Sequence, residues 1–234
     1  MTPPALFFVH VMKTAGTSLF WAMRNAVGVD YVRPRPSESP TAYFDIEELQ
    51  QYDRERLAGA RLVAGHFPCY LADEMPMPIE VATVLRHPVE RTVSMLKQHR
   101  KEQADAATSL EEIYEIPEVF DSLIHNHQVK MFALTQGDGV ANYMAPLTID
   151  EARMDIARER LGSVHHLGLN EDLDAFFDRL CIRFGWTEKL PSMRVSAEAV
   201  PIDPGFRQRI ERDNEADMAF FRYGSEIVRA RADC

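Results

Sequence analysis

The chain has 234 residues, 46% of them hydrophobic and 26% charged, with 11 Gly and 14 Pro. That is enough apolar material for a sizeable core, and it excludes disordered and collagen-like chains. Asp and Glu outnumber Lys and Arg by 36 to 26, a formal net charge of −10, which argues against a non-specific nucleic-acid binder and requires any anionic ligand to be held by a local constellation. The length fits one domain over residues 1–234.

Residues 5–11 are an apolar run rich in aromatic and β-branched side chains, followed by a turn-like stretch at 13–16 and helical periodicity over 18–27. They read as strand, loop and helix. The run is too short for a membrane span or a signal peptide, and no basic segment precedes it, so a cytoplasmic protein without a transmembrane segment is expected. Residues 28–56 hold Pro34, Pro36 and Pro40 among Ser, Glu and Gln and read as a surface excursion, with only 44–49 structured. Residues 61–66 and 79–85 are short runs of Val, Ile, Leu and Ala, the pattern of strands buried on both faces of a parallel sheet.

Pro88 can open a helix without losing a hydrogen bond, and Val89, Val93 and Leu96 recur at helical spacing up to a polar end at 97–102. Residues 109–134 read as two helical pieces divided near Pro117, 148–161 as a charged helix, 164–169 as a strand and 171–184 as a helix. After a Pro-punctuated link at 191–204, residues 206–231 read as one long closing helix. The alternation predicts an α/β fold, a central parallel β-sheet flanked by helices, with ligands at the carboxyl ends of the strands.

His10-Val11-Met12-Lys13-Thr14-Ala15-Gly16-Thr17-Ser18 sets a Lys, a Gly and three hydroxyls between a buried strand and a helix start. Converging backbone N–H groups, the helix dipole, close approach at Gly16 and a mobile Lys13 ammonium suit a phosphate. The order is not that of a Walker A loop, in which the Lys follows the last Gly. The plainer alternative has Thr17 or Ser18 capping the helix and Lys13 solvated. Further on, Arg86-His87-Pro88-Val89-Glu90-Arg91-Thr92-Val93-Ser94 starts a helix at a strand end. Arg86 and Ser94 can then reach one phosphate, unless Arg86 serves a structural salt bridge.

The first segment resembles the 5′-phosphosulfate loop of the sulfotransferases, in the H-[IV]-P-K-[TA]-[GA]-G-[TS]-[ST] form of the group containing heparan sulfate 2-O-sulfotransferase. Met12 stands at the usual Pro and Ala15 at a frequent Gly. The second is similar to the family's R-[DN]-P-x-x-R-x-x-S signature for a 3′-phosphate, with His87 at the usual Asp. Softer likenesses in Asn126-His127-Gln128, at 166–173 and at 214–221 extend the resemblance over nearly everything except 28–59. It implies a cytosolic enzyme on a single P-loop-like α/β domain. Such an enzyme moves a sulfonyl group from 3′-phosphoadenosine 5′-phosphosulfate (PAPS) to an acceptor hydroxyl and releases adenosine 3′,5′-bisphosphate, without magnesium. By the same resemblance Lys13 neutralises charge on the bridging oxygen, Thr14, Ala15, Gly16, Thr17 and Ser18 hold the 5′-phosphate, and Arg86 and Ser94 bind the 3′-phosphate. Arg194 and Ser196 stand in for the residue that closes over the cofactor.

His66 ends the 61–66 run at the edge where an active site in this architecture lies, and His is the side chain best suited to accept a hydroxyl proton near neutral pH. The same group has a similar G-H-x-x-[FY] segment whose His is the proposed base, although Pro68 stands where some members carry a second His. A lone His at a strand end is otherwise a structural residue. The pairs His125/His127 and His165/His166 have no Cys or carboxylate cluster to complete a ligand set, so no metal is expected. Cys69, Cys181 and Cys234 read as reduced bystanders. The expected acceptor is a small-molecule, glycoside or lipid hydroxyl, and no nucleic acid is expected as a partner. Two rivals stay open: a P-loop nucleotide kinase or NTPase, which needs magnesium and a Walker A Lys, and a regulatory domain that binds adenosine bisphosphate without catalysis.

Overall fold

In the computed structural model, which describes residues 3–28, 31–32, 54–103, 107–139, 144–190 and 202–232, the first apolar run forms strand β1 (Ala5–Val9), buried along its whole length. A strand buried on both faces belongs inside a sheet. The chain continues through α1 (Gly16–Val27), β2 (Tyr31–Val32), α2 (Arg54–Ala58) and β3 (Leu62–Gly65), then a 3₁₀ turn (Cys69–Glu74), β4 (Ile79–Leu85) and α3 (Pro88–Glu102). Next come α4 (Leu110–Tyr114), α5 (Pro117–Val119), a π-helical turn (Phe120–Ile124), α6 (His127–Ala133), α7 (Glu151–Ser163) and β5 (His166–Leu169). Helices α8 (Leu173–Phe184), α9 (Pro204–Asp213) and α10 (Glu215–Ala232) complete the order.

The five strands lie in the order β2-β3-β1-β4-β5, every neighbouring pair parallel. Strand β1 therefore lies between β3, with Val9 opposite Gly65, and β4, with Val9 opposite Thr83. The chain departs to opposite sides of β1 here, which opens a crevice at the carboxyl ends of these three strands.

Alternation along β1 sorts the core into two layers. Leu6 and Phe8 join Leu19 and Met23 of α1 and Phe176 and Leu180 of α8. Phe7 and Val9 join Phe132 of α6, Leu161 of α7 and Phe220 of α10. A third cluster, with Met12, Val89, Val93, Leu123, Ile124 and Ile210, sits around α3 and α9.

Several expected boundaries shift for local reasons. Helix α7 begins later than the sequence predicts because Asp150 is its N-cap, its carboxylate accepting the Arg153 N–H at 2.8 Å. The predicted closing helix is two helices broken at Asn214, whose side chain is buried and bonded to Ile210 O and the Asn126 N–H. The two pieces expected over 109–134 are three short helices and a π turn. The structured piece expected at 44–49 lies outside the described residues, and the stretch read as a surface excursion holds strand β2 at 31–32, paired with β3, and the start of α2 at 54–56, neither of which the sequence reading expected.

Candidate active site

Three predicted site residues leave the carboxyl ends of neighbouring strands: Lys13 in the loop after β1, His66 directly after β3 and Arg86 directly after β4. The structure joins Arg86 to Lys13 and sets His66 against His10. Arg86 Nη1 donates to the carbonyl oxygen of Lys13 at 3.1 Å, and His66 Nδ1 lies 2.6 Å from the carbonyl oxygen of His10. The His10 and His66 rings stack with centroids 4.3 Å apart. Because a carbonyl can only accept, Nδ1 of His66 carries the proton in this contact, and Nε2 is the basic nitrogen of the neutral ring. Gly65 is required beside it, since a Cβ there would sit 2.5 Å from the Phe67 ring.

The loop backbone has the conformation of an anion nest. Lys13 (φ 69°) and Ala15 (φ 66°) are left-handed, while Thr14 between them is not. Alternation of this kind turns successive N–H groups toward one concave side. Left-handed backbone is costly for a residue with a Cβ, about 1–2 kcal/mol, so two such residues in three is strain of the sort that collects at functional sites. The N-cap of α1 is Ala15, which has no side-chain acceptor. Capping by Thr17 or Ser18, the plainer sequence alternative, is therefore not how α1 begins. The side chain of Thr14 is not offered to a ligand either: it is buried, and its hydroxyl donates to Val11 O at 2.9 Å. Only its main chain can serve an anion.

The electrostatics oppose the chain's overall acidity. Burial, the Arg86 guanidinium and Arg91 push the Lys13 ammonium below the ordinary lysine value, against a smaller pull from Glu102. Burial lowers Arg86 as well. The Lys13 ammonium donates to Gln98 Oε1, and Gln98 Nε2 donates to Glu102 at 2.6 Å. Ser94 is half-buried one turn before Gln98 on α3, and helical periodicity places it on the same helix face as Gln98. Arg194 and Ser196 lie outside the described residues.

Sequence reasoning missed the frame behind this cluster. The Gln128 side chain accepts from Arg86 N at 3.0 Å and donates to Arg86 O at 2.8 Å. Asp217 in turn accepts the N–H groups of Gln128 and Val129, at 3.2 and 2.7 Å, and Asn126 Oδ1 accepts the N–H of Asp217 at 3.0 Å. The softer N-x-Q and N-x-x-D likenesses mark these residues, and they act on the main chain. His87, at the family's usual Asp position, precedes Pro88 and packs edge-on against Phe221 at 5.5 Å. Burial and Arg207 keep its imidazole below the ordinary value.

Three of the four paired histidines have other partners. His125 stacks on Phe120, His165 Nδ1 accepts the Val81 N–H and His166 bonds Glu80 at 2.7 Å. Among the described residues no group of three or more His, Cys, Asp or Glu side chains is placed to hold a metal ion. No helix among them is long and apolar enough to cross a membrane. A cavity of about 530 Å³ lies beside the amino-terminal half of β4, lined by Ile79, Val81, Arg160 and His165 among others, and no predicted site residue lines it. Cys69 does, its thiol pushed up to about 12 by burial.

No family model matches the chain, and no curated protein does. Among solved structures the chain is similar to a sulfotransferase from Alicyclobacillus acidocaldarius, at 14% sequence identity and a TM-score of 0.49, with 94% of each chain covered. A likeness so distant fixes neither an activity nor a subgroup. Only this chain's own residues bear on those.

Proposed function

We propose that the chain is a PAPS-dependent sulfotransferase acting on a hydroxyl of a small-molecule, glycoside or lipid acceptor, with the sequence resemblance to the heparan sulfate 2-O group as its subgroup reading. The observation that carries this is the contact of Arg86 with the Lys13 carbonyl at the crevice beside β1, in a loop whose Lys13 and Ala15 are both left-handed, with His66 directly after the neighbouring strand β3. A cationic nest on an acidic protein fits a compact polyanion. The imidazole of His66, whose Nδ1 faces the His10 carbonyl, fits a reaction in which a hydroxyl must lose its proton.

The main-chain N–H groups at 13–18 would hold the 5′-phosphate, and Arg86 with Ser94 the 3′-phosphate. When bound, PAPS supplies the sulfonyl group and departs as adenosine 3′,5′-bisphosphate. Lys13, already on the loop, opposes negative charge that grows as the bond to sulfur breaks. Such preorganised charge acts mainly on the transition state. His66 Nε2 takes the acceptor proton while Nδ1–H stays on the His10 carbonyl, which keeps the ring in one tautomer and orientation. Lys13 sits ahead of Gly16, which is the wrong order for the Walker A lysine of the kinase and NTPase reading.

The test is transfer from radiolabelled PAPS to a panel of hydroxyl acceptors, with calorimetric titration of adenosine 3′,5′-bisphosphate alongside. Magnesium-independent transfer supports the reading. Tight binding of the bisphosphate without transfer to any acceptor favours the regulatory domain, and magnesium-dependent nucleotide hydrolysis without sulfonyl transfer favours the NTPase.

A further inference from the structure

We infer that Arg91 is a positioning residue that aims the anion loop, holding the Met12–Lys13 peptide so that its N–H faces the ligand side. The inference rests on the anion-binding reading of this loop. Arg91 lies in the first turns of α3 and is completely buried, beside an apolar cluster that includes Met12, Val89, Val93, Leu123 and Ile124 and within electrostatic reach of Asp217 and Arg86. Volume alone would be met there by Met or Leu, and burial pushes the guanidinium down to about 10. A charge kept at that cost needs a task only a charged donor performs.

The donors at its Nη1 and Nη2 go to main-chain carbonyls, while Nε has no hydrogen-bond partner among the described residues. Arg91 Nη1 reaches Met12 O at 3.4 Å, and Nη2 reaches Leu123 O at 2.5 Å and Ile124 O at 3.2 Å. In a planar trans peptide the C=O and the following N–H point in opposite directions. Drawing the Met12 carbonyl toward Arg91 therefore turns the Lys13 N–H away from the interior. The neighbouring peptides obey the same rule: Val11 O is taken by the Thr14 hydroxyl at 2.9 Å and Lys13 O by Arg86 at 3.1 Å. Three consecutive carbonyls are engaged by the protein, so the orientation of the N–H groups of Met12, Lys13 and Thr14 is set before any ligand arrives.

The other end of Arg91 is equally fixed. Its Leu123 and Ile124 acceptors belong to the π turn, where π-helical bulges often mark functional sites. Lys130, also buried, donates from the opposite side to Asp121 O at 3.2 Å, Ser122 O at 3.5 Å and Ala145 O at 3.1 Å. Two buried cations thus hold the carbonyls of residues 121 to 124, and Arg91 alone of the two also reaches the loop.

The experiment is Arg91→Lys, which keeps the charge and loses the planar fork. The first readout is the amide nitrogen and proton shifts of residues 12–15 in ligand-free protein. The second is calorimetric affinity for inorganic pyrophosphate and for adenosine 3′,5′-bisphosphate. We expect the loop amides to move and affinity for both probes to fall roughly ten- to a hundredfold, the scale of residues that orient a ligand-binding group, at a protein concentration and temperature where the variant is folded. Unchanged loop shifts, or a folded variant with wild-type affinity, overturn the inference and leave Arg91 a purely structural residue. If the wild type binds neither probe, the anion-binding reading fails instead, and the loop shifts still report on the positioning role. Should Arg91→Lys not fold, the guanidinium resonances of Arg91 in the wild type, followed through a pyrophosphate titration, decide. Movement with saturation supports the inference, and invariance at saturation overturns it.

Discussion

Gln128 grips the main chain of Arg86 at both ends, its side-chain oxygen accepting the Arg86 N–H at 3.0 Å and its side-chain nitrogen donating to the Arg86 carbonyl at 2.8 Å. Gln128 is fully buried, and its own N–H is held by Asp217 at 3.2 Å. The guanidinium that meets the Lys13 carbonyl therefore leaves a backbone that two chain-distant segments hold in place. Gln128→Leu strands a peptide N–H and C=O, each costing about 1–3 kcal/mol when left buried and unpaired. The expected outcome is a lower unfolding temperature together with weaker binding of adenosine 3′,5′-bisphosphate, measured by calorimetry on the folded fraction. Loss of stability with unaltered affinity would mean that Arg86 keeps its aim without Gln128.

Arg86 and Ser94 should differ in their effect on the bisphosphate. A charge-assisted contact from a partly desolvated guanidinium contributes about 1.5–3 kcal/mol, against about 0.5–1.5 for a neutral hydroxyl. Arg86→Ala is expected to weaken binding roughly ten- to a hundredfold, and Ser94→Ala by less than about tenfold. Equal binding by wild type and Arg86→Ala overturns the 3′-phosphate assignment.

Lys13→Ala should reduce turnover by a larger factor than it weakens bisphosphate binding, on the order of a hundredfold or more, because the charge it opposes develops in the transition state. The pH dependence has a definite sign. Burial, Arg86 and Arg91 lower the Lys13 value, the active form is the protonated ammonium, and activity is therefore full below that lowered value and lost as pH rises through it. The alkaline limb of kcat/KM for the cofactor, which reports the free enzyme, should fall at lower pH than an ordinary lysine would give. In Lys13→Arg that limb should move upward, since a guanidinium keeps its proton. A limb that stays in place when Lys13 becomes Arg assigns the titration to another group. His66→Ala should spare bisphosphate affinity and cost turnover, and near-normal turnover at neutral pH would show that the base lies elsewhere.

Strands β1, β3, β4 and β5 were legible because burial leaves a continuous apolar run, and β4 was read from its first residue to its last, whereas the two-residue β2 was missed inside the stretch read as a surface excursion. Strand β1 ends at Val9, two residues short of the run, because Val11 and Met12 are apolar for the sake of the cores beside the loop. Helix periodicity runs unbroken across Asn214, and the break there follows from a bond to Asn126, 88 positions away, which no local pattern records. That Lys13, His66 and Arg86 lie at one edge of the sheet was legible because each follows a strand of a parallel sheet. The tasks of Thr14 and Arg91 were not, since a hydroxyl or guanidinium that serves the main chain has the same letter as one that serves a ligand. Arg194 and Ser196 lie outside the described residues.

The acceptor is expected to be a neutral or largely apolar hydroxyl compound, not a sulfated polysaccharide. A polyanionic chain is gripped by an extended basic surface whose long-range potential also speeds encounter, and a protein with 36 acidic against 26 basic side chains repels such a chain at distance. Lys97, Arg100 and Lys101 form the conspicuous basic cluster, in the polar end of α3. There they complement the negative end of the helix dipole, and Lys97 and Arg100 are only partly exposed. The cationic groups that do converge, Lys13 and Arg86, are partly buried within the crevice at the ends of β1 and β4, where they suit a compact anion better than an extended one. Transfer from PAPS to a panel of neutral glycosides and lipid alcohols, compared with heparan-type chains across a salt series, checks this. Rates on the neutral panel should change little with salt, because screening at about 0.15 M ionic strength removes only attractions acting beyond about 8 Å. Efficient, salt-sensitive sulfation of the polysaccharide with no transfer to the neutral panel would place a basic groove on this acidic protein and reverse the assignment.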